Sequence, residues 1–455
     1  MQLKSQWLND SKGRMILFAL LTILVSFSIL EPCYSYSNSS KMKFIWLGVT
    51  GGDVAGSNEP LSDTEFYQNH QFSKSQIIQL AENYEIVVID KFHAYGEMAL
   101  QLRDAQRLKE LNPALKVLVC VDGIHVFDKS EFKPEIDQHE EWYLHGIDGN
   151  RIPYKDFGWW MDLSNPDLRN GFLQFLAGYI LAEDAKGNAL LDGIAFDDCY
   201  LFNLEECRQT HNTGCDYATG MGDMVGDSRL LDWEIGLKTF LAEAKSLFEK
   251  KVLIFNGIGG FPWAYKRSLE LLDPTDGALN EQFGFVGTEM SAPDMVSYVK
   301  IMSDFPTKIF LEKVNLPIDL SGSQLTRALR KTFGYFMLGY QPGRSYYKAG
   351  TGYSVSRELI SDPEPGEIAF DFGSPASDFT VTPGGLFRRD FENGMVLLNY
   401  RYAALPFVAD STIQLLSGKI CGPVFRSGQQ VTIAPDDAWF FKFVSDPITN
   451  PNAER

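Results

Sequence analysis

The chain has no basic run beyond its N-terminus, and its 455 residues carry a formal net charge of −18. Nucleic acid is therefore not expected as a partner, because phosphate backbones are held by clustered Lys and Arg. Histidine and cysteine are scarce at six each. No G-x-S-x-G elbow, H-E-x-x-H helix or Walker loop occurs, which removes the sequence supports for serine-hydrolase, zinc-protease and phosphate-cradling chemistry. No G-x-G-x-x-G follows the first apolar strand, so a dinucleotide-binding sheet loses its best marker. Histidines at zinc-ligand spacing are missing around the cysteines, and no metal is expected. Cys199, Cys207 and Cys215 fall in one loop, where one disulfide is expected in an oxidising compartment; Cys33, Cys120 and Cys421 stand apart. Fixed-period repeats and low-complexity tracts are also absent.

What is present begins with an ordinary globular balance, 45% hydrophobic and 22% charged, enough for a real core. Aromatic residues reach 13%; beyond those needed for packing, ring faces suit the C–H surfaces of sugars. At the N-terminus, Lys4, Lys12 and Arg14 precede the apolar run from Met15 to Leu30, and the small-residue stretch CYSYSNSS follows. That order reads as a secretory signal over 1–37. The alternative is an uncleaved anchor through 15–30, since the run is nearly long enough to span a bilayer. The expected location is thus secreted or extracytoplasmic, with membrane contact only if the segment stays attached.

After the leader, short apolar runs alternate with helical periodicity. Strands are expected at 44–49, 86–90, 115–123, 192–198, 252–259, 277–283 and 308–314, with an eighth near GYFMLGYQ at 334–341. Alternating strand and helix periods indicate βαβ units and a parallel sheet buried on both faces. Eight such units predict an α/β fold of the (β/α)₈ TIM barrel type over 41–360. The stretch 124–165 is long for a βα connection, and long ordered loops are commonly functional. A helix is expected after it, with Ser164 or Asn165 as N-cap and Pro166 in the first turn. From about Glu364 helical periodicity stops. Short strands with Gly, Asp and Pro turns, including a hairpin at ENG, predict a small β-sandwich over 364–446 and a tail over 447–455.

Barrel enzymes carry their chemistry at the C-terminal ends of strands. Those ends supply Asp90 and His93, Asp122 and His125, Asp197 and Asp198, Asn256, Glu281 and Glu312. Carboxylates around one mouth suit glycoside hydrolysis, which needs one acid as proton donor and another as nucleophile or base. Asp197 leads, because GIAFD places it on one strand face with Gly193 and Ala195, two small residues that leave room for a substrate. Its neighbour Asp198 is the rival; either acid alternatively caps the next segment. Glu281 is the second carboxylate, in an apolar strand where an unpaired charge is costly. Glu312 is its rival, with Lys313 beside it as a prospective ion partner. Asp90, His93, Asp122, His125, Asp162 and Asn256 are candidates for binding sugar hydroxyls. Trp159 and Trp160 offer a stacking platform or core packing, and Tyr346 and Tyr347 would close the cleft or pack.

Taken in order, WWMDLSNPDLRNGF, DGIAFDD, DGALNEQF, DFGSPASDF and RRDFENGMVLLN resemble the hypothetical glycosyl hydrolase-like family fifteen, over about residues 43–445. The resemblance implies a barrel followed by a β-sandwich, with the family's strand-four acid at Asp197 and strand-six acid at Glu281. It implies a glycosidase or transglycosidase acting on a poly- or oligosaccharide without cofactor. A carbohydrate-binding barrel without turnover, or a barrel hydrolase of another chemistry such as deacetylation, are the alternatives.

Overall fold

The computed structural model describes residues 44–47, 72, 74–91, 97–128, 130–154, 158–205, 208, 216–259, 267–286, 288–317, 320, 322–351, 370–417 and 420–444. The N-terminal apolar run lies outside them, and among the described residues no helix is long and apolar enough to cross a membrane. The chain divides into a compact unit spanning Ser40–Pro363 and another that contains Glu364–Arg455.

The larger unit is built on eight parallel strands: β1 (Phe44–Leu47), β2 (Ile86–Ile89), β3 (Lys116–Asp122), β4 (Gly193–Asp197), β5 (Val252–Asn256), β6 (Gly277–Asn280), β7 (Ile309–Leu316) and β8 (Ser345–Thr351). They form one sheet in chain order, β1 to β8. Helices follow strands as α1 (Lys74–Asn83), α2 (Met98–Leu111), α3 (Pro166–Ile180), α4 (Asp216–Val225), α5 (Asp227–Leu247), α6 (Ala292–Asp304) and α7 (Gly322–Gly339). β1 and β8 approach within 8 Å between Cα atoms. No ladder joins them among the described residues, so the sheet wraps like a barrel without a closed hydrogen-bond ring. The expected closed barrel is corrected to this open form.

Strands β2 to β6 are largely apolar on both faces because each face is covered. Ile86, Val88, Leu118, Cys120, Ala195, Ile254, Leu279, Ile309, Leu311 and Tyr346 pack together as one core cluster. The alternate residues, among them Val87, Val119, Ile194, Phe196, Leu253, Phe255 and Phe310, are buried on the other face. Burying each such side chain stabilises the fold by about 1.5–3 kcal/mol.

The eighth strand is not at 334–341. GYFMLG is the last turn and a half of α7, and Gly334–Gly339 are all buried. An apolar run without a polar face looks the same as strand or helix in sequence, which explains the displacement. The expected helix after 165 is α3. Asn165, rather than Ser164, caps it by accepting from the Asp167 and Leu168 N–H groups at 2.9 and 3.3 Å. Within 124–165 a small antiparallel sheet forms from His125–Phe127, Gly158–Trp160 and Pro153–Tyr154. Cys120 and Cys199 are free and buried thiols, so Cys199 forms no loop disulfide; Cys207 and Cys215 lie outside the described residues.

The second unit contains β9 (Thr380–Val381), β10 (Phe387–Asp390), β11 (Gly394–Asn399), β12 (Leu405–Val408), β13 (Ile413–Ser417), β14 (Ile420–Phe425), β15 (Gln430–Ile433) and β16 (Asp437–Phe443). Six form an antiparallel sheet in the order β9-β10-β11-β16-β13-β14, and β12 pairs with β15 in a second. Met395, Leu397 and Phe441 of the first sheet share a core with Phe407, Val431 and Ile433 of the second. The ENG segment makes the β10–β11 turn, with the Phe391 N–H donating to the Gly394 carbonyl at 2.8 Å.

Candidate active site

Strand alternation decides which side chains reach the mouth. Continuing upward from Val88, Cys120, Ala195, Ile254, Leu279 and Leu311 in steps of two gives Asp90, Asp122, Asp197, Asn256, Glu281 and Lys313. A polar layer thus caps an apolar core at the C-terminal edge of the strands. Glu312 has the opposite parity. It pairs in register with Asn280 and faces away from the mouth. The residue is 2% exposed, and its Oε2 has no hydrogen-bond partner. Burial pushes Glu312 up to about 8, a hydrogen bond with Asn280 opposing the rise. The rival for the second carboxylate is corrected accordingly: Glu312 belongs to the packed layer outside the strands.

Asp197 and Glu281 meet through Asn256. The Asn256 Nδ2 donates to Asp197 Oδ1 at 2.7 Å and to Glu281 Oε2 at 3.2 Å. A shared donor limits those two oxygens to a separation of no more than 5.9 Å, the sum of its two bonds. Asp197 Oδ1 also accepts the Asp198 backbone N–H at 2.9 Å. Glu281 Oε1 lies 3.0 Å from the Lys313 ammonium.

The Lys91 ammonium sits on the other side of Asp197, 2.7 Å from its Oδ2, 2.7 Å from Asp122 Oδ2 and 3.9 Å from Asp198 Oδ2. Asp122 Oδ1 in turn accepts the Ile124 and His125 N–H groups at 3.1 and 2.7 Å. Burial alone would raise Asp122, yet Lys91 and His125 hold its carboxyl well below the usual range. Burial pushes the His125 imidazole down, with Asp122 opposing it. His125 stacks on Tyr154 with ring centroids 3.5 Å apart. The Tyr154 hydroxyl donates to Asp198 Oδ2 at 3.2 Å. Asp198 has φ +57°, the left-handed region, where its short polar side chain is tolerated better than most. Burial and the adjacent Asp197 carboxylate push Asp198 up to about 8.

The other expected residues divide. Asp90 is buried at the end of β2, and its carbonyl accepts from Gln101 Nε2 at 3.2 Å. Trp159 is half-buried, 5.8 Å from the Arg151 guanidinium. Trp160 is no platform: it is 1% exposed and packs edge-on against His125 and Trp233. Asp162 Oδ1 accepts from the Ser164 N–H and hydroxyl at 3.1 and 2.5 Å, which shapes the entry to α3. Tyr346 is buried in the strand core, and its hydroxyl donates to the Gly343 carbonyl at 3.2 Å, ahead of β8. It therefore lies at the opposite end from the cleft, a consequence of the displaced eighth strand. Tyr347 bonds Thr332 at 2.8 Å in the layer outside. His93 lies outside the described residues.

Sequence reasoning missed Lys91, Tyr154 and Lys313. Parity on β7 was a usable signal for Lys313. Lys91 follows a strand-end acid, but its reach to two other strands has no mark in sequence. Asp122, His125 and Asp198 also bring potential ligand atoms within 4.8 Å of one another. The Lys91 ammonium already serves as the cation beside two of them.

No protein-family model and no curated protein matches the chain. Solved structures do. An α-amylase from Lactobacillus plantarum aligns with a TM-score of 0.52 at 11% identity, covering 90% of this chain and 100% of that one. The noncanonic maltogenic α-amylase AmyB from Thermotoga neapolitana aligns at 0.51 and 10%, covering 90% and 100%. An Anoxybacillus α-amylase aligns at 0.51 and 10%, covering 89% and 98%. At such identities the likeness is one of fold.

Proposed function

We propose that the chain is an exported glycoside hydrolase or transglycosidase that cleaves glycosidic bonds of a poly- or oligosaccharide, in line with its resemblance to hypothetical glycosyl hydrolase-like family fifteen. The observation that carries the reading is the Asp197–Asn256–Glu281 bridge at the mouth. The bridge holds one oxygen of each carboxylate within 5.9 Å of the other, and that closeness supports a retaining reading, for which carboxyl groups stand about 5–5.5 Å apart. Glycoside-cleaving α-amylases among the fold neighbours support the same class of reaction.

In the first step an Asp197 lone pair forms a bond to the anomeric carbon, and the carbon–oxygen bond to the leaving group breaks. Glu281 gives its proton to the departing oxygen. In the second step water, or an acceptor hydroxyl in transglycosylation, attacks that carbon while Glu281 takes back a proton, and Asp197 is released as carboxylate. The pocket's acids bind and orient hydroxyls, and none of these steps needs a metal. A second reading assigns proton donation to Asp198, which holds a proton at neutral pH and has the Tyr154 hydroxyl against it.

Glycan fragments and aryl glycosides, followed by NMR, test both readings. Asp197→Asn is expected to abolish turnover while glycan binding persists in calorimetry. Replacing the true proton donor is expected to slow glycan cleavage by about 10²–10⁴-fold but to spare aryl glycosides whose leaving group needs no proton. Glu281→Gln showing that pattern supports the first reading, and Asp198→Asn showing it supports the second. Full activity in Asp197→Asn would sink both.

A further inference from the structure

We propose that Lys91 positions the nucleophile, with Asp122 as a standing counter-ion that lets Asp197 surrender and recover its charge without stranding a buried cation. The inference rests on Asp197 being the nucleophile.

The two carboxylates beside Lys91 are held separately. Asp197 is fixed at three points: the Asn256 amide and the Asp198 N–H on Oδ1, and the Lys91 ammonium on Oδ2. Among the described residues Oδ2 has that one partner, so it keeps an acceptor position with which to attack. Asp122 is pinned separately, by the Ile124 and His125 N–H groups of its own loop, and presents Oδ2 to the same ammonium at 2.7 Å. Three strand ends converge here, for Lys91 follows β2, Asp122 ends β3 and Asp197 ends β4.

The Lys91 side chain is 11% exposed, too buried for water to compensate it if its only carboxylate were esterified. When Asp197 becomes a glycosyl ester its negative charge is gone. A cation paired with Asp197 alone would then be left uncompensated in a poorly solvated site, which would oppose the step. Asp122 removes that opposition, because Lys91 has a carboxylate at 2.7 Å both before and after attack. In the free enzyme two carboxylates share one ammonium. Asp197 is thus oriented without being fully neutralised, and less of its attraction to Lys91 must be given up at the transition state. Near the ammonium, among the described residues, also stand Asp198 at 3.9 Å, the His125 ring beside Asp122, and the Phe127 ring face at 5.0 Å.

Lys91→Ala tests the proposal, because truncation leaves room for a small primary ammonium ion. We expect kcat on an aryl glycoside to fall about 100-fold, the usual cost of a misplaced catalytic group, with KM little changed. Ethylammonium is expected to restore activity saturably, and ethanol, its neutral counterpart, to leave it low. The same ion is expected to raise the melting temperature of Lys91→Ala and not of the parent protein, a readout independent of turnover. If Lys91→Ala does not fold, Lys91→Met replaces it, and the acid limb of its kcat/KM profile is expected to move to higher pH. Near-parental kcat, equal rescue by ethanol, or an unmoved acid limb overturns the proposal. A parent protein that cleaves no glycoside defeats the functional reading and this inference with it, whereas an active parent with near-parental kcat in Lys91→Ala defeats the inference alone.

Discussion

Adjacent residues on β7 receive opposite treatment. Lys313 reaches the mouth and pairs with Glu281, while Glu312 is enclosed on the other face, its value raised by burial to about 8. The fold therefore holds Glu312 protonated. A carboxyl group favoured in its neutral form contributes stability fully at pH below about 4.5, the ordinary glutamate value. That contribution declines as pH climbs, until the group ionises in the folded protein near 8. Glu312→Gln keeps the shape and removes the titration. Its melting temperature is expected to vary less between about pH 5 and 9 than that of the parent. Parallel melting curves for the two across that range would contradict this. Much of the site could be read at the level of single residues, because Asp197, Glu281 and Asn256 end strands whose apolar character is plain. Glu312 misleads in sequence, because nearness to a strand end does not reveal which face a residue occupies. Lys91 was passed over since its importance comes from two partners 31 and 106 positions away in sequence.

Strands and helices show where sequence patterns carry and where they fail. Seven of the eight parallel strands lie where continuous apolar runs foretell them, as buried parallel strands should. The eighth was obscured by the end of α7, whose every side is covered, so no polar face betrays its helical period. The small residues of β4 have a role legible only in three dimensions. A Cβ at Gly193 would stand 2.1 Å from the Val252 carbonyl oxygen on β5. Gly193→Ala must therefore push β4 and β5 apart at the base of the same strand that carries Asp197. A loss of about 1–3 kcal/mol is expected from urea unfolding, with the overpacking of a filled interior as its cause. An unchanged midpoint would mean that the strands separate more readily than their packing implies.

On the scale of the molecule, one rule accounts for both core and cleft: apolar side chains fill the lower layers inside the strands, and charged ones crown them. The second unit follows a different rule, antiparallel strands with a shared apolar interior between two sheets. The change in texture near Glu364 reflects that difference in period. The N-terminal apolar run lies outside the described residues. Seven ladders join eight strands, so amides of β1 and β8 on their outer sides lack the cross-strand protection enjoyed by β3, β4 and β5. Deuterium is expected to enter those outer strands first and the central ones last; uniform uptake would argue for a fastened ring. The seam between β1 and β8 thus lies apart from the ends of β3 to β6, which carry Asp122, Asp197 and Asn256 and lead directly into Glu281.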